Sequence, residues 1–348
     1  MMSESARPRI AVVGSGYMGG GMAQVFVLAG FPCVIADADG SIARTSRARL
    51  ISEAEDFEAD DLFPAGSADR IGAGLECAES IEEAVAGADY IAEVVPESRA
   101  VKSEALARIA DAARADAVIA SNTSAMPIET LAGFVTHPER FLGVHWMNPA
   151  PFVPCVEVIP SPVTSPSTVA FCTRLMGELG KVVVEVSDTT GFVANRLQYA
   201  LFQEATRMVE EGLATPRQID QVVSNSFGFR LPFFGPFATA DMAGLDVYVG
   251  SYASMEAAYG DRFATPRVLT DQVDAGNLGL KSGGGFTGMD AGRARDIARY
   301  RNRAYVLLER LRRELGPVPG GDGEGGQDSV THRPGAPRSG SMDASREA

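Results

Sequence analysis

Residues 9–30 read RIAVVGSGYMGGGMAQVFVLAG: a β-branched apolar run, a glycine turn and a helix-forming stretch, in that order. Gly14, Gly16 and Gly19 form G-x-G-x-x-G where a strand hands over to a helix. Each glycine has a task there. The first permits the tight turn, the second lets the backbone approach a pyrophosphate, and the third lets the helix pack closely on the strand, while the helix N-terminus faces the anion. Tyr17 and Met18, between the last two glycines, belong to the same candidate cofactor-binding turn. The next strand-like run closes on acid in CVIADAD, residues 33–39, which puts Asp37 18 residues past Gly19. A carboxylate there accepts from the adenosine ribose hydroxyls and repels a 2′-phosphate, so the expected cofactor is NAD rather than NADP. Asp39, two residues on, is the alternative to Asp37; its other reading is a solvated turn residue.

Outward from this stretch, strand-like runs at 9–13, 33–36, 90–95, 117–120, 141–144, 155–159 and 181–186 alternate with helical segments. Such alternation predicts an α/β fold, with an N-terminal Rossmann-type, mostly parallel sheet. From Gly191 the grammar becomes helical, with Leu197, Leu201, Ala205, Met208 and Val209 at helical spacing. The expected layout is a Rossmann domain at 1–187, an all-α C-terminal domain at 188–316 and a disordered Gly- and Pro-rich tail at 317–348.

Composition sets limits. At 348 residues and 45% apolar, the chain can bury the cores of two domains. No apolar run approaches the roughly 20 residues of a membrane span, and the polar start lacks a signal peptide's apolar stretch, so no membrane partner and a cytoplasmic location are expected. Cys33, Cys77, Cys155 and Cys172 include no C-x-x-C pair and read as buried free thiols, not metal ligands. A formal charge of −14 disfavours nucleic acid. It also means that an anionic substrate needs locally concentrated positive charge.

Three histidines narrow the search for a base that titrates near neutrality. His332 falls in the tail, and His137 precedes Pro138 in a loop, where a solvated turn residue is expected. His145 follows FLGV, at the carboxyl end of a strand, where open α/β sheets place ligands. Glu157 stands in the otherwise apolar CVEVI, where a buried carboxylate needs a partner.

SNTSAMPI (121–128), HWMNPAPFVPCVEVI (145–159) and DTTGFVANRL (188–197) resemble, in order and spacing, signatures of the 3-hydroxyacyl-CoA dehydrogenase family. The likeness extends over roughly residues 9–288, through AEVVPES (92–98), FFGPFATADMAGLDVY (233–248) and GLKSGGGF (279–286). It implies NAD-dependent oxidation of a 3-hydroxyacyl substrate, with His145 as general base and Glu157 as its partner. It also implies Ser124 and Asn195 beside the reacting oxygen, and Glu97, Lys102, Asn148 and Lys281 at the cofactor. Read without the family, Ser124 could cap a turn, Asn195 could lie on a helix surface and Lys281 could be a solvated turn lysine. Ser98 stands where the family has asparagine after its glutamate.

One segment departs from the pattern. Family members that use CoA receive it on a helical hairpin after the second strand, and an ungapped alignment puts Glu53 and Asp60 where the family has serine and lysine. EAEDFEADD (53–61) carries six carboxylates in nine residues, repulsive to CoA phosphates unless Arg44, Arg47 and Arg49 compensate. A free hydroxy acid is therefore the alternative substrate, and an NAD-binding structural protein without turnover is a second alternative. The β-hydroxyacid dehydrogenases, another class with the same Rossmann start, use a catalytic lysine on a helix of the second domain, and the helix after Gly191, GFVANRLQYALFQEA (191–205), has none. The family's helical domain implies a homodimer, although RLPFFGPF and DMAGLDVYVGSY would equally suit a monomer's core.

Overall fold

The computed structural model describes residues 7–319. His332 and most of the expected tail lie outside them. The described residues divide into two compact units, the first ending at Leu201 and the second beginning at Phe202. That division falls inside one helix, α8 (Ala194–Glu210).

The first unit is built on one eight-stranded sheet. Its strands are β1 (Ile10–Val13), β2 (Cys33–Ala36), β3 (Leu75–Cys77), β4 (Tyr90–Glu93), β5 (Val118–Ser121), β6 (Phe141–Trp146), β7 (Cys155–Pro160) and β8 (Val182–Glu185). They lie in the order β3-β2-β1-β4-β5-β6-β7-β8. From β3 to β6 all neighbours are parallel; β7 runs antiparallel to β6, and β8 is parallel to β7. The helices of this unit are α1 (Tyr17–Leu28), α2 (Gly40–Ala59), α3 (Ser67–Gly74), α4 (Ile81–Val85), α5 (Arg99–Ala112), α6 (Ile128–Ala132), α7 (Pro166–Glu178) and the start of α8. Alternate residues of each strand face opposite sides of a sheet. Ile10 and Val12 thus join one buried cluster with Met22, Phe26 and Leu50, while Ala11 and Val13 join another with Leu106, Ile109 and Ile128.

Three expectations need correction. β3 was not among the predicted strands: it is a three-residue edge strand paired only with β2, too short to show an alternation. β6 continues through Trp146, so His145 lies within the strand rather than after it. The cysteines also differ in part, since Cys33 and Cys172 are buried but Cys77 and Cys155 are only half-buried; all four are free thiols.

The second unit holds the rest of α8, then α9 (Pro216–Asn225), α10 (Phe227–Arg230), α11 (Pro236–Ala243), α12 (Leu245–Tyr259), α13 (Arg267–Asp274) and α14 (Ala294–Leu315). Its buried cluster is small: Ala240, Leu245 and Leu269, with Tyr248, Val249, Tyr252, Val273 and Phe286 packed around them. Among the described residues no helix is long and apolar enough to cross a membrane.

Candidate active site

The order of strands reverses between β1 and β4, which opens a crevice at their carboxyl ends. The glycine turn lies there. Gly14 has φ +101°, and a Cβ on it would meet the Val94 carbonyl oxygen at 2.5 Å. A Cβ on Gly19 would meet the Gly14 oxygen at 1.9 Å, so neither position admits a side chain. At Gly16, by contrast, a Cβ would find no protein atom within 4 Å. Gly16 is the N-cap of α1 and supplies no side-chain cap. Space beside uncapped N–H groups suits the pyrophosphate of a dinucleotide.

Asp37 directly follows β2 and is half-buried, and its Oδ2 accepts from Ser15 N at 2.7 Å and Ser15 Oγ at 2.6 Å. Ser15 thereby fixes the carboxylate at the edge of the turn, and nothing in the glycine pattern marks that serine in advance. Asp39 has a different task. Its Oδ1 accepts from Ser41 N at 2.8 Å and Ile42 N at 3.2 Å, capping α2. The carboxyl of Asp39 is held below its ordinary range by the bonds from Ser41 and Ile42.

A buried polar network organises the next two strand ends. Glu93, at the end of β4, is fully buried with Lys102 of α5, their Oε1 and Nζ 2.8 Å apart. Ser121 Oγ donates to the other oxygen of Glu93, and Lys102 Nζ lies 3.5 Å from Glu97 Oε2. Glu97 Oε1 in turn accepts from Thr123 Oγ1, Ser124 N at 3.1 Å and Ala125 N at 3.1 Å. Burial pushes the Glu97 carboxyl up, but the Thr123 hydroxyl, the Lys102 charge and the two N–H groups outweigh it and leave it below the usual range. Lys102 thus acts on the turn at Ser124 through Glu97. Glu93, Ser121 and Thr123 were not among the candidate residues, although a glutamate inside the apolar YIAEVV was a legible sign of a buried partner.

His145 and Glu157 face each other by register. β6 and β7 form an antiparallel hairpin in which His145 pairs with Glu157 across the ladder. Both side chains are almost fully buried, with His145 Nδ1 2.8 Å from Glu157 Oε2. Glu157 Oε1 accepts from Val193 N at 3.1 Å and Ala194 N at 2.9 Å, so the same carboxylate caps the start of α8. Burial pushes the Glu157 carboxyl up, but the bonds from His145, Ala194 and Val193 outweigh it and hold it below its usual 4.5. An ionised carboxylate only accepts, so His145 Nδ1 carries a proton toward Glu157, and in the neutral form of the ring the lone pair is on Nε2.

Two further contacts frame the imidazole. Phe192 is buried with its ring centroid 5.6 Å from that of His145. Its φ is +47°, a costly conformation for an aromatic residue that the Glu157 cap and the packing hold in place. Beyond β6, Lys181 Nζ donates to the carbonyls of Ala150 at 2.6 Å and Val153 at 2.9 Å, pinning the loop that carries Asn148. Asn148 itself is exposed.

Capping of α8 by Glu157 also fixes Asn195, whose Nδ2 donates to the Ser124 carbonyl at 2.8 Å. Ser124, Asn195, His145 and Glu157, from four segments of the sequence, are therefore joined within one unit by three links: His145 to Glu157, Glu157 to the start of α8, and Asn195 to Ser124. Lys281 lies in the second unit, paired with Asp246. Its loop is ordered by the buried Asp241, which accepts from Phe286 N at 3.0 Å and Thr287 N at 2.7 Å. His137 is exposed and 3.3 Å from Glu139, as a loop residue would be. Among the described residues no cluster could hold a metal ion.

The acidic hairpin also has structure. Glu53 pairs with Arg49 at 2.6 Å, and Glu58 caps α3 through Gly66 N and Ala68 N. Arg44 pairs with Glu79, while Arg47 donates to the carbonyls of Gly72 and Leu75.

Residues 9–189 match the family model of the 3-hydroxyacyl-CoA dehydrogenase NAD-binding domain, and residues 191–288 match that of its C-terminal domain. The chain is 34% identical over 303 residues to 5-formyl-3-hydroxy-2-methylpyridine 4-carboxylate 5-dehydrogenase of Mesorhizobium japonicum, covering 87% of this chain and 97% of that protein. It is 35% identical over 283 residues to a probable 3-hydroxybutyryl-CoA dehydrogenase of Bacillus subtilis, covering 80% and 96%. The crystal structure of a 3-hydroxyacyl-CoA dehydrogenase from Archaeoglobus fulgidus superposes with a TM-score of 0.72 at 29% identity, over 89% of this chain and 99% of that one. Two domain models matched in sequence order, on a chain that spans these relatives almost end to end, establish that it belongs to the 3-hydroxyacyl-CoA dehydrogenase family and is an NAD-dependent dehydrogenase acting on a CH–OH group.

Proposed function

We propose that the protein oxidises the hydroxyl of an L-3-hydroxyacyl-CoA-type substrate to the 3-keto product, with His145 as general base. The observation that carries this reading is the His145–Glu157 hydrogen bond, which leaves Nε2 as the acceptor. NAD, when bound, would supply the acceptor for the hydride that leaves the carbinol carbon. His145 Nε2 accepts the hydroxyl proton, and the ionised Glu157 stabilises the imidazolium that results. The Ser124 hydroxyl and the second amide N–H of Asn195 are the donors proposed for the reacting oxygen. Asp37 is proposed to hold the adenosine ribose, while Glu97 and Asn148 border the nicotinamide end. Lys102, fully buried, supports Glu97.

A second reading, a free hydroxy acid as substrate, is favoured by the pairing on α2. Arg44 and Arg47 are committed to Glu79 and to backbone carbonyls, so neither offsets the acidic hairpin against CoA phosphates. Comparing kcat/KM for 3-hydroxybutyryl-CoA and for free 3-hydroxy acids, by NADH absorbance, decides between the two. NAD binding without turnover on any of them would refute both and leave a structural role.

The second unit exposes large apolar side chains on several helices, among them Val222, Phe237, Val247 and Leu311, and Leu231 just after α10. With so small an internal cluster, a homodimer formed through this unit would cover them. Sedimentation equilibrium tests this. A cytoplasmic location is part of the proposal.

A further inference from the structure

The glycine turn carries a hydroxyl network that its glycines do not require. Ser15, between Gly14 and Gly16, is fully buried, with its Oγ 2.6 Å from Asp37 Oδ2 and 2.9 Å from Ser46 Oγ. A hydroxyl has one proton, and a carboxylate oxygen is the stronger acceptor, so that proton goes to Asp37. Ser46 braces the serine from its other side. Arg49, three residues further along α2, donates from Nη2 to the Ser15 carbonyl at 3.1 Å and pairs through Nη1 with Glu53. Residues at this spacing share one face of a helix, and here that face holds Ser15 at both its side chain and its backbone.

These contacts restrain the Asp37 carboxylate. Its Oδ2 also accepts from Ser15 N at 2.7 Å, and its Oδ1 accepts from Ala38 N at 2.8 Å. A carboxylate has roughly four acceptor positions. The protein itself fills three of them. A group held in this way offers a ribose hydroxyl a fixed acceptor and cannot turn aside to admit a 2′-phosphate, and both consequences favour NAD over NADP. Of the three donors, the Ser15 hydroxyl is the one that a substitution removes without disturbing the backbone.

We propose that Ser15, braced by Ser46, is a positioning residue for cofactor choice, acting through Asp37. The inference rests on Asp37 as the acid that holds the adenosine ribose, and adds that the immobility of this carboxylate, as well as its charge, sets the discrimination. A serine needed for packing alone would lower stability and weaken both cofactors alike, leaving their ratio unmoved.

The test measures dissociation constants of NADH and NADPH, by cofactor fluorescence, for the full-length protein and for Ser15→Ala, Ser15→Cys, Asp37→Ala and the chain carrying both Ser15→Ala and Asp37→Ala. Urea denaturation reports that each is folded. Ser15→Ala should narrow the preference for NADH over NADPH by about three- to tenfold, as expected for the loss of one hydrogen bond to a charged group. Ser15→Cys, with a weaker donor of similar size, should narrow it by less than alanine does but by at least about twofold. Without Asp37 there is no carboxylate to hold, so adding Ser15→Ala to Asp37→Ala should leave the preference within about twofold of Asp37→Ala alone. The proposal is overturned if both Ser15 variants keep the unaltered preference within about twofold, or if Ser15→Ala narrows it equally with and without Asp37. If Asp37→Ala narrows the preference and the Ser15 variants do not, the role of Ser15 alone falls. If Asp37→Ala does not narrow it either, the ribose assignment of Asp37 falls as well.

Discussion

Replacing Glu157 by glutamine separates charge and tautomer from shape. The carboxylate accepts three hydrogen bonds, from His145 Nδ1 at 2.8 Å, Val193 N at 3.1 Å and Ala194 N at 2.9 Å. A glutamine has one acceptor end and one donor end. Two backbone N–H groups at the start of α8 demand the amide oxygen, so the NH2 group is turned toward His145. Nδ1 must then accept, and the ring proton moves to Nε2, the nitrogen proposed to take the substrate's proton. Turnover should fall by roughly 10²–10⁴-fold, the range from losing a general base to holding a catalytic histidine in the wrong tautomer. NAD affinity should change little. The assay is steady-state NADH formation on 3-hydroxybutyryl-CoA and free 3-hydroxybutyrate, with the imidazole tautomer read by ¹⁵N NMR. A kcat within threefold of the unaltered enzyme would refute the reasoning. Acid stability supplies a second readout. Because the folded-state carboxyl of Glu157 sits below its usual 4.5, its contribution is complete above that pH and is lost as pH falls through the lowered value. The variant lacks that titration, so its stability should fall less steeply than the unaltered protein's below about pH 4.5.

His145→Gln should retain NAD affinity, measured by fluorescence titration, while turnover falls about 100-fold or more; near-normal turnover would remove His145 from its proposed role. Asp37→Ala should narrow the ratio of kcat/KM for NAD over NADP. Because Asp39 is occupied in capping α2, Asp39→Asn should leave that ratio unchanged. Lys102→Met strands the buried Glu93 carboxylate and should cost about 3–5 kcal/mol in urea denaturation, with Glu93→Gln in the same chain restoring part of it; a cost below 1 kcal/mol would contradict the buried pairing.

The α/β class, seven of the eight strands and the cofactor turn were legible because each rests on local pattern: β-branched runs, glycines at fixed offsets and an acid at a strand end. NAD followed from the same stretch. His145 and Glu157 could be paired from sequence since they lie on consecutive strands, but the antiparallel register that sets them opposite one another is a property of the hairpin. What no local pattern carried was contact between distant segments. Glu157 reaching forward to cap α8, Ser15 holding Asp37, and Lys102 buried between Glu93 and Glu97 all depend on strands that the sheet reorders. The three-residue β3 escaped for a related reason, since only its neighbour β2 makes it a strand. Sequence alone thus determined the fold class and the cofactor, because periodicity and glycine spacing are written along the chain. Tertiary structure alone decided which nitrogen of His145 faces Glu157, that the same carboxylate caps α8, and that Lys102 is buried against Glu93, because hydrogen bonding and desolvation act between residues that only folding brings together.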